Sequence, residues 1–251
     1  MTSRRRFIRN TAAGTLGSII ASHAFAASGD DQPGKALRSQ FLLDRNLLYL
    51  NTGSLGPSPL PVIRAVESAM RRLEQDPVSE NWGPLGQHME GVRAKVAGFI
   101  NARPADILLT RNTTEGLSLI AQSLPLQAGD ELLTTTLEHG GAEVGLDHLV
   151  AARGAVLKRV ELPLPASSAT EVIRSVIAAV TPRTKVILLS HVNTVTGMVM
   201  PFQLLSEACR SQGILLIADG AQAVGNVPVD VAQLGVDAYA CSGHKWLFGP
   251  K

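Results

Sequence analysis

The sequence predicts an α/β protein built on a mostly parallel sheet with helices on both of its faces. Short apolar runs rich in Val, Ile and Leu, typical of strands buried on both sides, alternate along the chain with helical periodicity. Right-handed crossovers then bring successive strands into one sheet that helices cover. The 251 residues, of which 45% are hydrophobic, are enough for a large core in one or two domains.

The helices are predicted from apolar residues that recur every three or four positions. Pro61 opens the first one, a position where proline is favoured, and Gly213 follows the last one as a typical C-cap. The predicted helices cover residues 61–73, 84–100, 117–124, 142–152, 170–180 and 204–211.

The strands are predicted from short β-branched and aliphatic runs. A first short strand opens residues 47–59 and ends in a turn rich in Gly, Ser and Pro, which is either an ordinary connection or part of a site. The other predicted strands cover residues 107–110, 131–135, 155–161, 185–190, 214–218 and 236–241.

The N-terminus resembles a twin-arginine export signal. Four arginines and no acid lie within residues 3–9, a modest apolar stretch covers residues 12–21, and Ala24-Phe25-Ala26 offers a cleavage site. We expect residues 1–27 to be a signal peptide that the twin-arginine translocation machinery recognises, giving a periplasmic protein. The alternative is a basic disordered tail. The apolar stretch is too short to span a bilayer, so no stable membrane insertion is expected.

Charge and cysteine content exclude some classes of protein. The formal charge is +2, and it becomes −2 without the four arginines of the signal, so no nucleic-acid partner is expected. The two cysteines, Cys209 and Cys241, are interpreted as core thiols, because two cysteines alone do not argue for a disulfide.

Lys245 is the residue around which the site is predicted. It follows an apolar strand that ends at Cys241 and stands among small, polar and aromatic residues. A lysine at the mouth of a buried strand loses hydration, so its pKa falls and its amine becomes nucleophilic. Such an amine can form a Schiff base. The alternative is a lysine that simply caps the end of a strand.

Asp219 is predicted to face the same crevice, because it follows the strand at residues 214–218 and ligands of open α/β sheets bind at the carboxyl ends of strands. The alternative is a plain salt bridge with Lys245. His139, which follows another strand, could stack on a flat ring or be structural. Thr113 and Thr114 open a helix and suit an anion site, although either could only cap the helix.

Two segments carry a family resemblance. Asp219-Gly220-Ala221-Gln222-Ala223-Val224-Gly225 and Ser242-Gly243-His244-Lys245-Trp246 resemble the class V aminotransferase family of fold-type I pyridoxal phosphate (PLP) enzymes. That family includes cysteine desulfurases and isopenicillin N epimerase-like proteins. The resemblance implies an N-terminal segment over residues 28–60 and an incomplete PLP-binding large domain over residues 61–251. It also implies that the C-terminal small domain is missing, with the arginine that grips the substrate carboxylate.

The resemblance implies a role for each site residue. Lys245 would hold PLP as a Schiff base and move the substrate's α-proton, Asp219 would pair with the ring nitrogen, and His139 would stack on the ring. The resemblance also implies contacts to the PLP phosphate from Thr113, Thr114, Ser242 and His244. The phenolic oxygen of PLP would be contacted by Gln222 and Thr194.

The implied activity is transamination or epimerisation of an amino acid or amine by a homodimer. Thr194 stands where cysteine desulfurases carry an asparagine, and Asn193 is one step earlier, so the resemblance favours the epimerase-like branch. Three alternatives stay open: a cysteine desulfurase or lyase, a catalytically inactive PLP-binding fragment, and a periplasmic small-molecule binding protein.

Overall fold

A computed structural model describes residues 33–166 and 168–251. The chain divides into two compact units, of which the first ends at Gln40 and the second runs from Phe41 to Lys251. The first unit contributes one short described helix, α1 (Pro33–Arg38). The predicted signal peptide, residues 1–27, lies outside the described residues.

The second unit is organised around a five-stranded sheet in which every pair of neighbouring strands is parallel. The strand order is β2-β1-β3-β4-β5. This arrangement confirms the predicted fold class. The strands are β1 (Glu131–Thr135), β2 (Val156–Val160), β3 (Thr184–Ser190), β4 (Leu215–Asp219) and β5 (Ala238–Ala240).

Some of the helices precede the first strand in the chain, and the others lie between successive strands. A 3-10 turn at Pro104–Asp106 follows the N-terminal group of helices. The helices are α2 (Leu60–Gln75), α3 (Pro77–Trp82), α4 (Pro84–Phe99), α5 (Thr113–Ser123), α6 (Gly140–Arg153), α7 (Ala169–Ala178), α8 (Phe202–Ser211) and α9 (Val231–Leu234).

Two hydrophobic clusters lie on opposite faces of the sheet, because successive side chains of a strand point to opposite sides. In β3, Val186 and Leu188 belong to one cluster while Ile187 and Leu189 belong to the other. Residues of α5 and α6 complete the first cluster, and residues of α7 and α8 complete the second. The sheet is therefore covered by helices on both faces, as the sequence predicts.

Two of the predicted strands are wrong. Residues 47–50 and 107–110 have no strand assignment, although they are apolar. Leu48 is 78% exposed and Leu108 is 70% exposed, so neither segment is buried in the sheet. The carbonyl of Ile107 instead accepts a hydrogen bond from the guanidinium of Arg93 on α4. Short apolar runs thus predicted strands that have no partner strand here.

None of the helices within the described residues combines the length and the apolar character needed to cross a bilayer. Cys209 is buried and Cys241 is partly buried, and both are free thiols. Burial raises the pKa of each thiol to about 11, which agrees with their interpretation as unreactive core residues.

Candidate active site

A cavity of about 670 Å³ opens at the carboxyl ends of β3 and β4. The structure brings all of the sequence-predicted site residues together in its lining, although they come from five separate stretches of the chain. These residues are Thr113, Thr114, His139, Thr194, Asp219, Gln222, Ser242, His244 and Lys245. The prediction that Asp219 and Lys245 face one crevice is therefore met by the geometry.

Asp219 is the last residue of β4 and is only 6% exposed. Its Oδ1 accepts a hydrogen bond of 2.8 Å from the backbone N–H of Ala221, which orients the carboxyl group. Burial raises the pKa of Asp219, and this effect outweighs the opposing influence of the Ala221 N–H, Lys245 and His139. The carboxyl group is thus held in a poorly hydrated wall of the cavity.

Lys245 lies five residues beyond β5 and is half-buried. Burial lowers the pKa of its amine, and the charge of Asp219 partly opposes that shift. Within the described residues the Lys245 amine has no hydrogen bond and no ion pair, so the structure does not support the plain salt bridge with Asp219. The amine faces the cavity with a weakened preference for its charged form.

The N-terminus of α5 forms the next part of the wall. Asn112, not a threonine, caps this helix: its side chain accepts a 2.9 Å hydrogen bond from the backbone N–H of Glu115. The alternative that Thr113 or Thr114 serves only as the cap is therefore wrong. Thr113 Oγ1 lies 2.5 Å from Ser242 Oγ, and both side chains are buried.

This end of the cavity has the chemistry of an anion site. The helix N-terminus carries a positive partial charge, and the hydroxyls of Thr113 and Ser242 can donate hydrogen bonds. His244 also lines the cavity, and burial together with Lys245 and Lys251 lowers the pKa of its imidazole. An oxyanion is the ligand class that such a group of donors suits.

His139 caps helix α6 with its ring. Its Nδ1 accepts a 3.0 Å hydrogen bond from the backbone N–H of Gly141, so the proton of the neutral imidazole lies on Nε2. This contact holds the ring at the cavity wall. The alternative of a structural histidine and the predicted stacking role both remain compatible with this position.

Gln222 is occupied by protein partners at both ends of its amide. The amide nitrogen donates to Gly53 O at 2.9 Å and to Thr194 Oγ1 at 3.4 Å. The amide oxygen accepts a 2.8 Å hydrogen bond from the indole nitrogen of Trp246. The family resemblance predicts that Gln222 contacts an oxygen of the cofactor. In the structure its amide also connects residues that are distant in the chain, Gly53, Thr194 and Trp246.

Asn193, the residue next to Thr194, has a structural role in the structure. Its amide oxygen accepts hydrogen bonds from the backbone N–H groups of Val195 and Thr196, and its amide nitrogen donates to Leu137 O at 2.8 Å. Thr194 is exposed and lines the cavity. Asn193 also lines the cavity, so both residues border the site, with the amide of Asn193 bonded to nearby backbone groups.

Sequence reasoning assigned no site role to Glu138 or Trp246, although both stand in the motifs that it singled out. Glu138 is partly buried and accepts hydrogen bonds from the hydroxyl of Thr135 at 2.7 Å and from the backbone N–H of Ser190 at 2.9 Å. Burial raises its pKa. The sequence offered one signal for each: Glu138 directly precedes His139, and Trp246 directly follows Lys245. No cluster of acidic, cysteine or histidine side chains suited to a metal ion occurs in the described part of the chain.

The comparison with known families decides the assignment. The family Aminotransferase class-V matches residues 49–251. The chain belongs to this family. The predicted resemblance is thereby confirmed.

Individual members of the family are similar over most of the chain. The isopenicillin N epimerase of Amycolatopsis lactamdurans is 37% identical over 218 residues, which cover 85% of this chain and 54% of that protein. A probable cysteine desulfurase of Halalkalibacterium halodurans is 32% identical, with 81% of this chain and 51% of that protein covered. The chain spans about half the length of the curated relatives it matches.

Solved structures with the same fold include two enzymes of sulfur chemistry. A lysine-to-alanine variant of C-DES, with glycine covalently linked to its PLP cofactor, matches with a TM-score of 0.77 and 28% identity. That match covers 85% of this chain and 57% of C-DES. The cysteine desulfurase CsdA of Escherichia coli matches with a TM-score of 0.72 and 29% identity, covering 86% of this chain and 55% of CsdA.

Proposed function

We propose that the cavity binds PLP and that the protein is a PLP-dependent enzyme that transaminates or epimerises an amino acid or amine. One observation carries the proposal: Asp219 and Lys245 line the same cavity without pairing to each other. A buried acid and an amine whose pKa is lowered by burial, both on one cavity, are what PLP chemistry requires of a protein. Membership of the class V family supports the same conclusion.

The residues present fit this cofactor. The cavity volume of about 670 Å³ falls in the range of about 300–1,000 Å³ that small-molecule sites occupy. The hydroxyls of Thr113 and Ser242 with the N-terminus of α5 would hold the phosphate, and Thr114 and His244 extend that group. Asp219 would hold the ring nitrogen, and His139 would lie against the ring.

Bound PLP supplies an electron sink that stabilises negative charge at the α-carbon of the substrate. The lowered pKa of Lys245 keeps a larger share of its amine neutral, so this amine can attach covalently to an aldehyde. Once released, the same amine can accept the α-proton of a bound substrate and return it. Asp219 can keep a proton on a ring nitrogen, because its carboxylate is buried in the cavity wall.

Epimerisation or transamination is favoured over desulfuration by two observations. Asn193 and Thr194 both line the cavity, and Thr194 stands at the position where the resembled desulfurases carry an asparagine. The A. lactamdurans epimerase is also more similar, at 37% identity, than the H. halodurans desulfurase, at 32%. Cysteine desulfuration or lyase chemistry is the second candidate, because C-DES and CsdA share the fold at TM-scores of 0.77 and 0.72.

We further propose that the protein is a homodimer that the twin-arginine machinery exports to the periplasm. The support for export is the arginine-rich pattern of residues 3–9 with the Ala24-Phe25-Ala26 cleavage signal. The support for a dimer is the resemblance to fold-type I enzymes, in which a partner subunit completes the phosphate site. Sedimentation velocity and fractionation of expressing cells test these two proposals.

The test of the main proposal combines a spectrum with an exchange assay. Purified protein is titrated with PLP and its visible absorbance is recorded for the wild type, Lys245→Ala and Lys95→Ala, the last being an exposed lysine on α4. We expect the band of a lysine-linked PLP in the wild type and in Lys95→Ala, and not in Lys245→Ala. A band that Lys245→Ala retains would exclude the assignment of the anchor.

Exchange of the α-proton of amino acids in heavy water then separates the alternatives. An enzyme that uses Lys245 as a base exchanges this proton, and Lys245→Ala loses the exchange by at least about 100-fold. A visible band without any exchange indicates an inactive PLP-binding chain. The absence of the band and of exchange in the wild type indicates a binding protein of another kind. Sulfide release from cysteine identifies the second candidate, and the co-product then distinguishes desulfuration, which leaves alanine, from lyase chemistry, which leaves pyruvate.

A further inference from the structure

The backbone of Lys245 is in direct contact with a turn from the N-terminal part of the second unit. This turn covers residues 49–56 and is called here the bracing turn. Its last residue, Gly56, donates a backbone hydrogen bond of 2.8 Å to His244 O. The bracing turn thus pairs with the residue immediately before the reactive lysine.

Gly56 approaches the Lys245 backbone too closely for any side chain. A Cβ atom added at Gly56 would lie 1.9 Å from Lys245 O, 2.9 Å from Lys245 C and 3.0 Å from Cδ1 of Phe248. The first two atoms belong to the backbone, which cannot rotate away as a flexible side chain can. Glycine is therefore required at this position by the close approach of two main chains.

The bracing turn is itself held closed by side-chain hydrogen bonds. The hydroxyl of Tyr49 lies 2.5 Å from Leu55 O and 3.1 Å from Asn51 O, so it joins the two ends of the turn. The hydroxyl of Ser54 donates to the side-chain oxygen of Asn51 at 3.0 Å. These contacts fix the shape of the turn and hence the position of Gly56.

The bracing turn is also tied to the segment beyond Lys245. Gly53 O accepts a hydrogen bond from Gln222, whose amide oxygen accepts one from Trp246, the residue after Lys245. Lys251 donates to Gly56 O at 2.5 Å. The turn is therefore bound to the chain on both sides of Lys245, through His244 before it and Trp246 after it.

We propose that Gly56 is a positioning residue for Lys245, because the bracing turn fixes the backbone of that lysine and so sets how deeply its amine enters the cavity. The consequence for turnover rests on the proposed function, whereas the placement of the amine is a property of the chain without any cofactor. Asp219 is the charged group that acts on this amine, and it stays in place in the variants used below.

The proposal gives a definite expectation for Gly56→Ala. A carbon and an oxygen cannot approach to 1.9 Å, so the Lys245 backbone has to move by about 1 Å or more to relieve the contact. A displacement of that size in a catalytic group costs about 100-fold in rate. The moved amine becomes more hydrated, and since burial is what lowers the pKa of Lys245, that pKa rises.

The test measures the amine itself in the full 251-residue chain without cofactor. Competitive labelling with acetic anhydride over a range of pH, read by peptide mass spectrometry, gives the titration midpoint of Lys245, with exposed Lys95 as internal standard. The matched control is Gly91→Ala on α4, where an added Cβ meets nothing within 4 Å. A milder variant, Tyr49→Phe, removes the hydroxyl that closes the turn without adding a clash.

We expect the Lys245 midpoint to move to higher pH in Gly56→Ala, by less in Tyr49→Phe, and not at all in Gly91→Ala. An unchanged midpoint in a folded Gly56→Ala overturns the proposal. If that variant does not fold, an unchanged midpoint in Tyr49→Phe overturns it instead. Addition of PLP to the same proteins separates the two proposals: a wild type that takes up no PLP refutes the proposed function, whereas the labelling result on positioning stands by itself.

Discussion

The hydroxyl of Thr113 lies 2.5 Å from the hydroxyl of Ser242, although 129 positions separate the two residues in the chain. Thr113 opens helix α5, and Ser242 lies between β5 and Lys245. Their side chains are 5% and 3% exposed, so the contact is buried at the wall of the cavity. It joins the helix N-terminus to the lysine-bearing segment in a single polar surface.

Removal of either hydroxyl is expected to weaken PLP binding. Thr113→Val and Ser242→Ala each delete one donor to the phosphate and leave the other hydroxyl without its partner, which costs about 1–3 kcal/mol, or about 5–150-fold in affinity. Because the two groups are in contact, the double variant should lose less than the sum of the two single losses. Equilibrium dialysis with PLP measures these affinities.

Ser211→Ala is the control for this experiment, since its hydroxyl is exposed at the end of α8 and donates to Ala208 O within the same helix. It should bind PLP as the wild type does. Strictly additive losses in the double variant would show that the two hydroxyls act independently, contrary to the geometry.

The sequence predicted the fold and part of the lining of the cavity because both depend on a local rule, whereas the family resemblance supplied Thr194, Gln222, Ser242 and His244. Residues that follow buried parallel strands meet at one edge of the sheet, so His139, Asp219 and Lys245 could be placed together without knowing the strand order. The hydroxyls in the first turn of α5 were found by a similar rule, that helix N-termini attract anions.

The remaining features depend on partners that are distant in the sequence. Nothing local shows that the amide of Gln222 meets Gly53 and Trp246, or that Gly56 touches the carbonyl of Lys245. The predicted strand at residues 107–110 fails for the same reason, since a strand needs a neighbour that an apolar run cannot reveal. Asn112 was overlooked as the cap of α5 because two threonines follow it directly.

Asp219→Asn should change how stability depends on pH in the protein without cofactor. Burial raises the pKa of Asp219 above its usual value of 3.8, so the folded state keeps this proton to a higher pH than the unfolded state does. The free energy of unfolding therefore loses a contribution from Asp219 as the pH rises from about 3.8 through the raised pKa. The Asp219→Asn variant has no group that titrates at this position, so its free energy of unfolding does not lose this contribution.

Thermal unfolding of both proteins between acidic and neutral pH tests this expectation. The Tm of Asp219→Asn minus that of the wild type should increase across the window and become constant above it. The same variant should lower turnover by at least about 100-fold, since an amide cannot hold the ring nitrogen protonated. A Tm difference independent of pH would show that Asp219 ionises normally in the folded chain.

Glu138→Gln should destabilise the fold next to His139. The carboxylate of Glu138 accepts hydrogen bonds from Thr135 at the end of β1 and from the hydroxyl and backbone N–H of Ser190 at the end of β3. A glutamine turns an NH₂ group toward one of these donors, which lowers the free energy of unfolding by about 1–3 kcal/mol. Urea denaturation measures the change.

Glu74→Gln on α2 provides the comparison, because Glu74 is exposed. Its free energy of unfolding should stay within about 0.5 kcal/mol of the wild type. Equal stability of Glu138→Gln and Glu74→Gln would mean that the contacts of Glu138 between β1 and β3 contribute nothing to the fold.

The covalent attachment site of PLP tests the central claim most directly. The wild-type chain is incubated with PLP, reduced with borohydride and digested, and mass spectrometry locates the phosphopyridoxyl group among its six lysines. We predict that the group lies on Lys245, because its amine is half-buried in the cavity and its pKa is lowered. A label found on another lysine, or spread evenly over all six, would contradict the account.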